Sequence, residues 1–154
     1  MSNKDSSSPA LNNCTFSGNS AQYGGGLHNR DSSPTLINCT FSSNSARYAG
    51  AMYNYDSSTT MTNCTFTENS AYYAGGIYIR AGSNVTLTNC TFTGNFGESK
   101  GGGVFNKGVA TLTFCTFTGN TGRYRGGGVN NEGTSTLTNC AFSGNSASKS
   151  NGNG

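Results

Sequence analysis

The chain has 154 residues, 32% of them apolar and only 10% charged, with a formal net charge of +3. Ordinary globular chains carry about 45–50% apolar and about 25% charged residues, so one broad core is excluded. Eight tyrosines and nine phenylalanines with so little charge also exclude the usual disordered composition.

The nine Lys and Arg are scattered, without the basic run that nucleic acid or acidic lipid would call for. No apolar stretch reaches the roughly 18 residues of a membrane span. Residues 1–13 lack the apolar segment of a signal peptide.

Order comes from repetition. Cysteines fall at 14, 39, 64, 90, 115 and 140, at spacings of 25, 25, 26, 25 and 25. A fixed period in this range marks a solenoid. The whole chain, 1–154, reads as a single solenoid domain of six coils that start near residues 9, 34, 59, 85, 110 and 135. Residues 1–8 and 148–154 read as partial repeats or tails.

Three short extended segments are expected in each coil. The first centres on Leu11, Leu36, Met61, Leu87, Leu112 and Leu137, with polar flanks such as Thr86 and Thr88. Alternation with a period of two points the aliphatic residue inward and the flanks outward. A corner follows at Asn13, Asn38, Asn63, Asn89 and Asn139, with Phe114 as the exception; Asn tolerates the left-handed backbone a corner needs. The second segment is Cys-x-Phe. It yields two ladders, Cys14, Cys39, Cys64, Cys90, Cys115 and Cys140, and Phe16, Phe41, Phe66, Phe92, Phe117 and Phe142. A second Asn set at 19, 44, 69, 95, 120 and 145 marks the next corner and suggests an asparagine ladder. The third segment follows small residues, as in Gly24-Gly25-Gly26-Leu27, where glycine permits close backbone approach or positive φ. Coils stacked about 4.8 Å apart turn every inward position into a ladder, and nearest-neighbour stacking supplies the stability. The fold class is therefore all-β, a parallel β-helix.

Phe-x-x-Asn (Phe16 to Asn19, and so on to Phe142 to Asn145) alternates with Gly-Gly-x-aliphatic (Gly101-Gly102-Gly103-Val104 is one case). This motif pair resembles the repeats of the chlamydial polymorphic outer-membrane protein family and other bacterial surface proteins. The resemblance implies a right-handed β-helix, displayed outside the cell or on its surface and often adhesive.

One cysteine per coil reads as a small buried hydrophobe with a free thiol, because stacked Cβ atoms about 4.8 Å apart exceed the roughly 3.8 Å of a disulfide. Zinc is not expected, since His28 is the only histidine and no Cys-x-x-Cys occurs. Asp5, Asp31 and Asp56 occupy equivalent Ser-rich turns and read as turn residues, not as paired catalytic acids. No enzymatic activity and no cofactor are expected.

Outward threonines form a possible grid. One sheet offers Thr60, Thr62, Thr86, Thr88, Thr111, Thr113, Thr136 and Thr138; the next offers Thr65, Thr67, Thr91, Thr93, Thr116 and Thr118. Such arrays resemble the faces of antifreeze solenoids, although strand propensity alone also accounts for threonine. Tyr53, Tyr78 and Phe105 are expected to point outward as an aromatic contact edge for sugars or for another rod. The leading expectation is a structural or adhesive solenoid that stacks head to tail with copies of itself into fibres. Ice binding through the threonines and binding or cleavage of surface glycans are the alternatives.

Overall fold

The computed structural model describes residues 1–147, so the tail expected at 148–154 lies outside the described residues. All strands are parallel. Four six-stranded sheets line the solenoid, and each strand pairs with the equivalent one in the next coil, 25 or 26 residues on (27 at Ile77↔Val104).

The first sheet holds Ala10–Asn12, Thr35–Ile37, Ser58–Thr62, Asn84–Thr88, Val109–Thr113 and Thr134–Thr138. The second holds the Cys-x-Phe segments, from Thr15–Ser17 to Ala141–Ser143. The fourth runs from Ser2–Asn3 through Leu27–Arg30, Met52–Tyr55, Ile77–Ile79 and Val104–Asn106 to Val129–Asn131. Each of these was anticipated as one of three segments per coil. A fourth per coil was not: the two-residue strands Ser20–Ala21, Ser45–Ala46, Ser70–Ala71, Phe96–Gly97, Thr121–Gly122 and Ser146–Ala147 form the third sheet. Two residues are too few to show alternation, which is why pattern reading passes over them.

The first corner is as expected. Asn13, Asn38, Asn63, Asn89 and Asn139 have φ of 51–53°, and Phe114 takes the same conformation at 54°. At the second corner the positive φ belongs to the residue before the asparagine: Gly18, Ser43, Glu68, Gly94, Gly119 and Gly144. That leaves the asparagine free to turn inward. The backbone N–H and Nδ2 of Asn44 both donate to Asn69 Oδ1 at 3.0 Å, and Nδ2 also donates to the Phe16 carbonyl at 2.8 Å. Asn69, Asn95 and Asn120 repeat the pattern, so every polar atom of this buried ladder is satisfied.

The interior is a stack of identical rungs. The six phenylalanine rings lie 4.6–5.0 Å apart and within 7° of parallel. The cysteines are free thiols, and each Sγ faces the carbonyl of the residue two positions before it, as in Cys39 to Ile37 at 3.4 Å. Both ladders are fully enclosed only in the middle, over Cys39 to Cys115 and Phe41 to Phe117. Cys14, Phe16 and Cys140 are half-buried and Phe142 is exposed, because a terminal rung lacks a neighbour on one side. Glycine is required where the third and fourth sheets meet: a Cβ on Gly75 would lie 2.5 Å from the Gly102 carbonyl oxygen and from the Phe96 nitrogen. No helix among the described residues is long and apolar enough to cross a membrane.

Candidate functional site

The fourth sheet carries the most differentiated surface. Its inward aliphatic residues are Leu27, Met52, Ile77, Val104 and Val129. One residue later, on the other face, His28, Tyr53, Tyr78, Phe105 and Asn130 stand in register. The expected aromatic edge Tyr53, Tyr78 and Phe105 does point away from the main core, yet these residues are only 2%, 7% and 1% exposed. They are not a contact edge. They form a second, smaller core with Ala49 and Ala74, covered by Tyr23, Tyr48, Tyr55 and Tyr73. Seven aromatic side chains on one face bury each other, which is the cheaper state for so much apolar area.

This small core is the floor of a gutter along the solenoid axis. Tyr23, Tyr48, Tyr73, Lys100 and Arg125, each four residues before the inward aliphatic one, supply one wall. Tyr23, Tyr48 and Tyr73 stack face to face at 4.5 and 5.2 Å. Arg30, Tyr55, Arg80, Lys107 and Glu132, three residues after it, supply the other. Lys100 and Lys107 set their ammonium groups 5.6 and 5.8 Å from the Phe105 ring.

At the amino-terminal half the gutter opens into a cleft of about 310 Å³ lined by Tyr23, His28, Arg30, Tyr53, Tyr55 and Arg80. That size is within the range of small-ligand sites. Tyr55 is its centre. Arg30 and Arg80, from the coils on either side, place their guanidinium carbons 5.8 and 5.2 Å from the Tyr55 ring centroid. Arg80 also donates to the Tyr53 hydroxyl at 3.5 Å. Arg30 has Asp31 at 3.4 Å, whereas Arg80 has no carboxylate in ion-pair range among the described residues. A guanidinium has five N–H donors, so Arg80 keeps donors for an acceptor beyond its contacts with the Tyr55 ring and the Tyr53 hydroxyl.

Ionisation is one-sided here. Burial lowers the His28 pKa, and the Lys4, Arg30 and N-terminal charges lower it further, so the imidazole is neutral at pH 7. Burial raises Tyr53, and raises Tyr78 to about 12, so both phenols stay protonated donors. At the far end of the gutter Glu132 meets Lys100 at 3.0 Å, Lys107 at 3.6 Å and Arg125 at 3.7 Å. The hydrogen bond from Lys100 holds its carboxyl below the usual range. No cluster of three or more His, Cys, Asp or Glu that could hold a metal occurs among the described residues.

The threonines lie elsewhere. Thr60, Thr86, Thr111 and Thr136 form one row of the first sheet and Thr62, Thr88, Thr113 and Thr138 the next, all in register. On the second sheet Thr65, Thr91 and Thr116 align, as do Thr67, Thr93 and Thr118. The first two coils break the pattern with Ile37 and Asn12. Asp5, Asp31 and Asp56 have φ of 55°, 50° and 46°, which accounts for them as turn residues. His28, Arg30, Tyr55 and Arg80 were not singled out from the sequence. Their signal was a constant offset from the inward aliphatic residue, hidden because the residue types at that offset change from coil to coil.

Residues 2–153 match the family model for a right-handed β-helix region. The chain belongs to this family. A search of curated proteins and a search of solved structures each return no match. Membership makes the coil stack of this β-helix right-handed, as anticipated. It does not choose among activities, so what this β-helix does must be argued from its own surface.

Proposed function

We propose that this β-helix is a non-enzymatic binding and adhesive solenoid, displayed outside the cell, that holds carbohydrate in the cleft around Tyr55. One observation carries the reading: Arg80 lies over the Tyr55 ring without a carboxylate partner and lines the open cleft. A ligand rich in oxygen acceptors suits guanidinium, phenol and imidazole donors held this way. The protonated phenols and neutral imidazole bring no paired carboxylates of the sort glycan cleavage uses. The resemblance to repeats of bacterial surface proteins supports the extracellular placement.

The test is an immobilised glycan panel with wild type, Arg80→Ala and Tyr55→Ala. Binding by wild type that falls in both variants supports the reading. Equal binding by all three proteins, or no binding to any glycan, retires it.

A second reading, self-association into fibres, is favoured by the terminal rungs. Leu137 and Phe142 are exposed in the last described coil, and Leu11 and Phe16 are half-buried in the first. A second copy stacked in register would continue the same ladders. Sedimentation and electron microscopy of wild type against Phe142→Asp test this. Filaments lost on substitution support it, and a monomer at every concentration removes it.

A further inference from the structure

We infer that the whole gutter on the fourth sheet, not the Tyr55 cleft alone, is a track for a linear anionic polysaccharide lying parallel to the solenoid axis. This rests on the carbohydrate reading above and narrows it to polymers with a carboxylate or sulfate on successive sugars.

Six of the nine Lys and Arg lie on the two walls of this one gutter: Lys4, Arg30, Arg80 and Lys107 on one, Lys100 and Arg125 on the other. Against them stand four acids: Asp5, Asp31 and Asp56 at the equivalent turns directly after this wall, with Asp31 beside Arg30, and Glu132 among Lys100, Lys107 and Arg125. Six positive charges minus four negative leaves +2 of the chain's formal net charge of +3. The positive charge is therefore concentrated on one face, which raises the local concentration of a polyanion.

The geometry suits a repeating ligand. Arg30, Tyr55, Arg80 and Lys107 follow one another in consecutive coils, so at the inter-strand spacing Arg30 and Arg80 stand roughly 10 Å apart, with Lys107 about 5 Å beyond. A polymer with one anionic group per sugar, or per pair of sugars, meets these charges successively. Guanidinium matches carboxylate and sulfate oxygens in a two-point contact.

Single-stranded nucleic acid is the competing polyanion, and the aromatics argue against it. Base binding needs free ring faces. Tyr53, Tyr78 and Phe105 are buried, Tyr23, Tyr48 and Tyr73 cover one another, and Arg30 and Arg80 lie over Tyr55.

The experiment measures binding of the 154-residue chain to polygalacturonate, dextran sulfate, neutral dextran and an oligothymidylate. Polygalacturonate, dextran sulfate or both should bind, more weakly as salt rises. Neutral dextran should bind at least about tenfold more weakly, as loss of charge-assisted contacts implies. Arg80→Gln combined with Lys107→Gln should weaken polyanion binding about tenfold or more. Glu132→Gln should strengthen it, which a merely misfolded variant could not do. Preference between the two polyanions identifies carboxylate or sulfate as the natural group, and either upholds the track. Neutral dextran binding as tightly as the polyanions would overturn the track and leave the carbohydrate reading standing. Oligothymidylate binding more tightly than either polysaccharide would overturn it in favour of nucleic acid. No binding to any probe would sink both.

Discussion

Asn54 stands in register with Ile79, and its side-chain nitrogen is buried there without an acceptor. On the preceding coils the same position forms an internal ladder, Asn3 to Asn29 and Asn29 to Asn54, at 2.9 Å each. Beyond Ile79 the ladder resumes from Asn106 to Asn131 at 2.8 Å. Ile79 is the one apolar rung. Asn at this position would supply the missing acceptor and reconnect the two halves, while losing the burial of the isoleucine side chain. A buried unsatisfied donor and a buried aliphatic side chain are each worth about 1–3 kcal/mol, so these changes nearly cancel. Ile79→Asn should therefore unfold within about 1 kcal/mol of wild type in urea, while Ile79→Ala should cost about 2–5 kcal/mol.

The continuous ladder at the second corner is less forgiving. Asn95→Ala would strip the acceptor from the backbone N–H and Nδ2 of Asn69 and the donor from the Phe66 carbonyl. All three sit in the interior, so the expected loss is at least about 2 kcal/mol, read as a lower urea midpoint.

Thiol reactivity should map the closed part of the core. Cys39, Cys64, Cys90 and Cys115 are at most 1% exposed, whereas Cys14 and Cys140 are half-buried. Burial raises the Cys39 thiol pKa, and hydrogen bonds with its stacked neighbours together with burial raise that of Cys90. A thiol reagent on the native protein should label Cys14 and Cys140 first. The four central cysteines should react only on unfolding, and six thiols should then titrate without reductant.

The coil period, the inward ladders and the first corner could all be read from the sequence, because there one residue type recurs at one offset. Asn38 and Phe41 have counterparts in almost every coil. The third sheet escaped because its rungs are two residues of changing type, such as Ser70–Ala71 and Phe96–Gly97. The aromatic edge was misjudged for a different reason. Alternation correctly turned Tyr53 away from the main core, yet it carried no information that Tyr23, Tyr48 and Tyr55 would close over that face. The gutter charges were hidden because Arg30, Arg80 and Lys107 share a position with Tyr55 and Glu132.

Two groups make stability depend on pH in the acid range. The folded pKa of His28 lies below its ordinary 6.5, so folding favours the neutral ring. The groups around it are Lys4, Arg30, the N-terminal amine, Tyr23 and Tyr53. Its contribution is complete above the unfolded pKa and is lost as pH falls toward the folded one. Glu132, held below 4.5, behaves with the same sign at lower pH. The melting temperature should fall from pH 7 to pH 5, and His28→Gln should flatten that slope.

The threonine rows invite a direct measurement. Because Ile37 and Asn12 interrupt them and strand propensity explains the rest, no thermal hysteresis is expected from wild type. Hysteresis that disappears in Thr88→Tyr would make ice the ligand instead.

The second-corner ladder also gives the rod a direction. From Asn19 to Asn120 each side-chain amide donates to the next asparagine toward the carboxyl end, the last of them to Asn145, and the backbone N–H bound to the same Oδ1 fixes that sense. The exposed corner pairs run the other way, Asn89 to Asn63 and Asn63 to Asn38. Aligned amides in a dry interior polarise one another, whereas the wet outer pairs are screened. The column inside is therefore a line of oriented dipoles that lengthens with every coil. Rods of this kind would turn to a common heading in an electric field, and neighbouring rods packed side by side would lie at lowest energy pointing in opposite senses.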